Sequence, residues 1–331
     1  MEDTARLDFR RAVLAAAGAV GETFERLLAY NETPFDPARL SGLSWPLPDE
    51  AHVEAWTAYA RDSAASGVVE ALRPRLVQLH FPVEAGISAT EGYRAATRRG
   101  IAPPADGAGP ALRRPEALTL EVHATMAGGV PILVAAERED FVTLVRAFSA
   151  RNEPIPVPDA MGACIVTGLN NWDRVRRHRE AFETARGGAA DEEAWLEEFK
   201  RMVPRPELYQ DRFIILSSGP YSAVPAGEVG LSDREWIERS LAIRREHECT
   251  HYLTQRAFGK MRNNLLDELI ADFAGLVLVT GAYDGALALR FFGLEGYPRW
   301  RQGGRYSRAT ASCSIATCPG WPLHGRTSRA F

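Results

Sequence analysis

Residues 232–259 read SDREWIERSLAIRREHECTHYLTQRAFG, and the stretch carries both ends of a single helix. Ser232 and Glu235 stand as Ser-x-x-Glu. At that spacing the serine side chain accepts from the third helical amide and the glutamate reaches back to the cap. Gly259 offers the left-handed stop that ends a helix. Between them Trp236, Ile237, Leu241, Ile243, Leu253, Ala257 and Phe258 supply apolar contacts. His247-Glu248-Cys249-Thr250-His251 therefore lies inside a long, well-bounded helix.

At about 100° per residue, His247 and His251 are about 40° apart around the axis and one turn apart along it. Both imidazoles can reach one ion. Glu248 lies about 60° from His251, close enough to approach a water at that ion without being a ligand. Cys249, about 200° from His247, points away and is expected to pack against the domain. A catalytic zinc site takes three protein ligands and keeps a fourth position open. Downstream, residues 261–279 read MRNNLLDELIADFAGLVLV, a second helix that Asn264 can cap. Glu268 and Asp272 are four apart and share a face; Asp267 and Asp284 complete the pattern less well. The expectation is that Glu268 supplies the third ligand. Asp272 then bonds the outer nitrogen of a ligating histidine, as carboxylates behind metal ligands commonly do.

His-Glu-x-x-His followed by Glu268-Leu269-Ile270-Ala271-Asp272 resembles the gluzincin, thermolysin-like branch of the zincin metallopeptidases. The resemblance covers residues 212–285, and the rest of the chain resembles no peptidase. Sixteen residues separate His251 from Glu268, somewhat fewer than is usual in that branch. The resemblance implies His247, His251 and Glu268 as Zn2+ ligands, Glu248 as general base and Asp272 as the carboxylate behind a ligand. It also implies a zincin-like core and a zinc-dependent hydrolase that cleaves a peptide or small amide. Tyr283, Arg290 and Tyr297 follow the ligand helix and are candidates for steadying an oxyanion. Two other readings stand beside it: a zincin-like binding or regulatory protein without turnover, and a non-hydrolytic metal enzyme with the same ligands. FIILSSGPYS at 213–222 is either an edge strand that pairs with an extended substrate or a buried core strand.

Outward from this centre, RFIILSS at 212–218 is the strongest strand pattern. LTLEVHA at 118–124 and VPILVA at 130–135, joined across Gly128-Gly129, predict a hairpin. ACIVTGL at 163–169 and LVQLHF at 76–81 are further strand candidates. Helices are expected over 5–30, 52–61, 66–72, 88–99 and 137–150, and over 172–199 with a break at Gly187-Gly188. Helix and strand do not alternate regularly, so the fold class is α+β. Asn170, Asn171 and Asp173 form a polar cluster that reads first as a helix cap. The expected organisation is an α-rich region at 1–115, a zincin-like α+β metal-binding domain at 116–304, and an irregular tail at 305–331. That tail follows the last acidic residue, Glu295, and reads as disordered or frame-shifted.

The chain has 331 residues, 46% of them hydrophobic and 25% charged, with a net charge of -4. That is globular and leaves no basic footprint for nucleic acid. No run of about 18 apolar residues occurs, which argues against a membrane partner. The four cysteines, Cys164, Cys249, Cys313 and Cys318, are too few for a disulfide scaffold. With no secretory leader recognisable at the N-terminus, the expected setting is cytoplasmic.

Overall fold

The computed structural model describes residues 2–301 apart from 31, 33, 34, 36, 104–106, 160, 190, 260–263 and 298. The tail at 305–331, with Cys313 and Cys318, lies outside the described residues. In chain order the helices are α1 (Glu2–Ala16), α2 (Gly21–Tyr30), α3 (Pro37–Ser41), α4 (Val53–Ser66), α5 (Val68–Leu72), α6 (Glu91–Arg99), α7 (Arg138–Ser149), α8 (Trp172–Ala185), α9 (Glu192–Met202), α10 (Asp233–Phe258), α11 (Asn264–Thr280) and α12 (Gly285–Phe292). The strands are β1 (Thr119–Thr125), β2 (Gly128–Ala135), β3 (Ala163–Asn170) and β4 (Gln210–Ser217). The class is α+β. Among the described residues no helix is long and apolar enough to cross a membrane.

Two compact units emerge, one of residues 44–219 and the other of residues 1–43 with 220–331. The division falls at 43/44 and 219/220 rather than at the expected 115/116; the boundary expected at 304/305 lies outside the described residues. The sheet falls in the first unit and the His-Glu-x-x-His helix in the second. The N-terminal helices explain the discontinuity. The Phe35 ring meets Phe258, the last residue of α10, edge-on at 4.9 Å. Arg39 on α3 donates to the Phe258 carbonyl at 3.3 Å, a cation placed where helix carbonyls lack partners.

In the unit of residues 44–219 the sheet order is β1-β2-β4-β3. β1 and β2 form the expected antiparallel hairpin, β2 and β4 are parallel, and β3 and β4 are antiparallel. A parallel pair needs a crossover, and α7, β3, α8 and α9 all lie between β2 and β4 in the chain. Leu133, Ala135, Cys164, Val166, Phe213 and Ile215 pack with Trp56 and Tyr59 of α4 and Phe141 and Leu144 of α7 into one core. Phe213, Ile214, Ile215 and Leu216 are wholly buried. β4 has neighbours on both sides, so the edge-strand reading fails and the core-strand reading holds: its backbone groups already serve β2 and β3.

A polar knot sits within this core. Asp211, 1% exposed, accepts from Arg174 Nη1 at 2.7 Å, Trp56 Nε1 at 2.8 Å and Asn171 Nδ2 at 2.7 Å. Asn171 also caps α8 by accepting from Asp173 and Arg174 amides. The Asn170–Asp173 cluster is thus structural, and every charge in it is paired.

Two expected elements differ. Residues 76–81 form a 3-10 turn over Val77–His80 instead of a strand. Leu76, Val77, Gln78 and Leu79 are all buried, so no solvent face alternates with a core face. The Gln78 and Phe81 carbonyls bond the Asn152 side chain at 3.1 and 2.9 Å, replacing a ladder. Residues 5–30 are two helices, broken where Gly18 (φ 81°) and Gly21 (φ 57°) adopt left-handed backbone, which glycine takes without a Cβ clash. The buried face there is Leu14, Ala19, Leu27 and Leu28. Phe9, Val13 and Val20, which fall at helical spacing with that face in the sequence, lie exposed.

Asp211→Ala leaves Arg174 buried without its counter-charge. We expect unfolding free energy to fall by about 3–5 kcal/mol, measured by denaturant titration. Lys200→Ala, which breaks only an exposed pair with Glu197, is expected to leave the transition where it is.

Candidate metal centre

The second unit is built on α10. Its capping box is complete, with Ser232 accepting from the Glu235 amide and the Glu235 carboxylate receiving the Ser232 amide. At the far end Gly259 has φ 81° but an extended ψ of -160°, so it ends the helix with positive φ and without the left-handed turn expected. Trp236, Ile243, Leu276 of α11 and Phe291 of α12 form the core beside it. Cys249 is buried, as its angle on the helix predicts.

α11 comes close because Gly275 lets it. A Cβ there would stand 2.9 Å from the Ile243 carbonyl oxygen and 3.4 Å from the His247 amide. Glu268, Asp272 and Gly275 follow at i, i+4 and i+7, one face of α11. The glycine's contact with the α10 backbone thereby sets the two carboxylates against the two histidines. Asn264 is the first residue of α11; its side chain lies outside the described residues.

Three donors converge. His247 Nε2 and His251 Nε2 are 3.0 Å apart. Glu268 Oε2 lies 3.4 Å from His247 Nε2, and Oε1 lies 3.5 Å from His251 Nε2. One atom from each of the three residues fits within 4.8 Å of the others. Ligand bonds of about 2.0–2.2 Å at tetrahedral angles separate neighbouring donors by about 3.3–3.5 Å, so the set fits a zinc ion. Both outer nitrogens are held. His247 Nδ1 lies 2.9 Å from Asp272 Oδ1. His251 Nδ1 lies 2.7 Å from Asp267 Oδ2, and Asp267 in turn receives the Thr254 hydroxyl at 2.8 Å. With each Nδ1 bound outward, each Nε2 turns its lone pair to the centre.

The electrostatics favour a cation. Burial alone would lower the pKa of His251, but hydrogen bonds to Asp267 and Glu268 and the charge of Glu248 outweigh it and push it up to about 10. The same acidic surroundings attract a metal cation, which would take the place of the proton on Nε2. The Glu248 side chain is partly exposed, and its carboxylate has no hydrogen-bond or ion-pair partner among the described residues.

Residues 12–316 match the model of a family of unknown function, DUF7005. The chain belongs to that family. No curated protein and no solved structure matches it.

The structure brings His247, His251, Glu268 and Asp272 together, with Glu248 on the same helix and near enough to act on His251 electrostatically. Two contributors go beyond the sequence reading. Asp267, ranked there as a rival ligand, holds His251. The Tyr221 hydroxyl donates to Asp272 Oδ1 at 2.7 Å and lies 2.9 Å from His247 Nδ1. Asp267 had a visible signal in its place beside Glu268; Tyr221, in a turn 26 residues upstream of His247, had none. The other candidates go elsewhere. Asp284 caps α12. Tyr283 packs its ring on Phe273 and is 48% exposed. Arg290 pairs with Glu228, and Tyr297 is 80% exposed.

Two predictions follow from this packing. Asp267→Ala frees the His251 ring and should weaken zinc affinity about 10–100-fold, read by competition with a chromogenic chelator. Gly275→Ala gains about 1 kcal/mol of helix propensity and loses about 1–3 kcal/mol to overpacking against a backbone that does not yield. We expect net destabilisation in thermal melts, together with weaker zinc binding as Glu268 and Asp272 move off.

Proposed function

We propose that the protein is a zinc-dependent hydrolase that cleaves a peptide or small amide bond by attack of water. The observation that carries this is the convergence of two Nε2 atoms and one carboxylate at 3.0–3.5 Å, with both outer nitrogens tied to aspartates. His247, His251 and Glu268 would hold the ion. When bound, zinc supplies Lewis acidity, lowering the pKa of a water from about 15.7 to about 7 and polarising a carbonyl.

The chain's own groups do the rest. Glu248 takes the proton of the attacking water and passes it to the leaving nitrogen, the general acid–base part of the reaction. Its freedom from hydrogen bonds within the described chain suits a group that must face water and substrate. A structural zinc fills its four positions with protein ligands, whereas three donors converge among the described residues. This favours turnover over a binding role. Asp267 and Asp272 hold the ring orientations. A zincin-like core and a cytoplasmic setting belong to the same proposal; a chain with four cysteines, two of them buried at Cys164 and Cys249, suits a reducing compartment.

The test has two steps. Metal analysis of the purified protein should find about one zinc per chain, and a protein that takes up no zinc at neutral pH sinks the reading. Glu248→Gln should keep the metal and lose about 10²–10⁴-fold in turnover on a peptide library. Unchanged turnover in that variant would remove Glu248 from the mechanism.

A further inference from the structure

The turn before α10 is built in an unusual way. Ser222 and Ala223 both adopt left-handed backbone, with φ of 52° and 56°. Non-glycine residues hold that conformation only where their surroundings enforce it, and such positions cluster at functional sites. The enforcement comes from one stripe of α10. Trp236 Nε1 donates to the Val224 carbonyl at 2.7 Å, Ser240 Oγ accepts from the Tyr221 amide at 2.9 Å, and Arg244 Nη2 donates to the Pro220 carbonyl at 3.3 Å. The next residue on that stripe is His247.

Everything the stripe fixes converges on the side chain of Tyr221, which is 1% exposed. Its ring packs edge-on against Phe291 at 4.8 Å and lies 5.7 Å from the Arg244 guanidinium. A phenylalanine would satisfy those contacts, so packing does not explain the hydroxyl. The hydroxyl donates to Asp272 Oδ1, and its oxygen then presents a lone pair to His247 Nδ1. A lone pair at 2.9 Å calls for a proton on Nδ1 and leaves Nε2 free to ligate.

We propose that Tyr221 is a positioning residue of the metal centre, its hydroxyl bonding both His247 and Asp272 beside their direct contact and thereby fixing, together with Asp272, the tautomer and rotation of the His247 ring. The inference rests on the zinc reading above. Tyr221 sits on the Nδ1 side of His247, away from the converging Nε2 donors, so it touches neither substrate nor the reacting water.

The test is a double-mutant cycle on zinc affinity, with Tyr221→Phe, Asp272→Asn and the pair together, each measured by chelator competition. Tyr221→Phe should bind zinc about tenfold more weakly or worse and melt, metal-free, within a few degrees of the parent. The downfield imidazole N–H proton of His247 in the zinc-loaded protein should shift. The double variant should lose less than the product of the single losses, because both residues act through one nitrogen. Parent-like affinity in Tyr221→Phe, or losses that multiply, would overturn the proposal. Should the variant fold poorly, the His247 proton signal in deuterium-exchanged parent protein decides: an Nδ1 proton exchanging at the rate of a free imidazole overturns it too. A parent that binds no zinc refutes the metal reading itself, a different outcome from a parent that binds and a variant that binds equally.

Discussion

An imidazole has two nitrogens, and what holds the outer one decides which tautomer the ring adopts and where the inner one aims its lone pair. That constraint organises the second unit. Asp272 and Tyr221 occupy Nδ1 of His247, and Asp267 occupies Nδ1 of His251. Burial of His247 and Asp272, at 2% exposure each, makes these partners obligatory, because a buried polar group without one is costly. The result is a pair of lone pairs aimed at one point, with Glu268 closing the third side.

Holding that arrangement requires two helices to run closer than side chains normally permit. Gly275 supplies the room, and the stripe from Trp236 to His247 braces the turn that carries Tyr221. The site is thus supported on rigid helices rather than loops. The core of Trp236, Leu276 and Phe291 is built on the same helices as the candidate site, so α10 and α11 carry both.

Much of this was legible in the sequence because the signals were local. A capping box, a histidine pair at i, i+4 and a carboxylate pair at i, i+4 are each set by helix geometry alone, and the structure places them as that geometry requires. All four strands showed as runs of strand composition, but whether β4 lay at an edge or in the core stayed open, because nothing local separates the two. What stayed hidden was non-local. Tyr221 reaches the site through a turn whose left-handed residues are not glycines, so composition did not mark it. The break in the first helix lay between two glycines inside a continuing apolar period. LVQLHF had strand-like composition, but its carbonyls were claimed by Asn152, 71 and 74 residues away.

The discontinuous second unit has a consequence for how the chain comes into being. Arg39 and Phe258, partners across the end of α10, are separated by 219 positions. On a ribosome that adds about 5–20 residues per second, the first 43 residues wait for their partners while the whole of 44–219 is made. That intervening unit is contiguous and can reach its native contacts as it emerges. The helical unit cannot, because α10 and α11 follow the whole of 44–219 in the chain. The sheet can therefore be complete before the candidate metal centre has been made, and that centre forms on helices whose N-terminal support has waited longest.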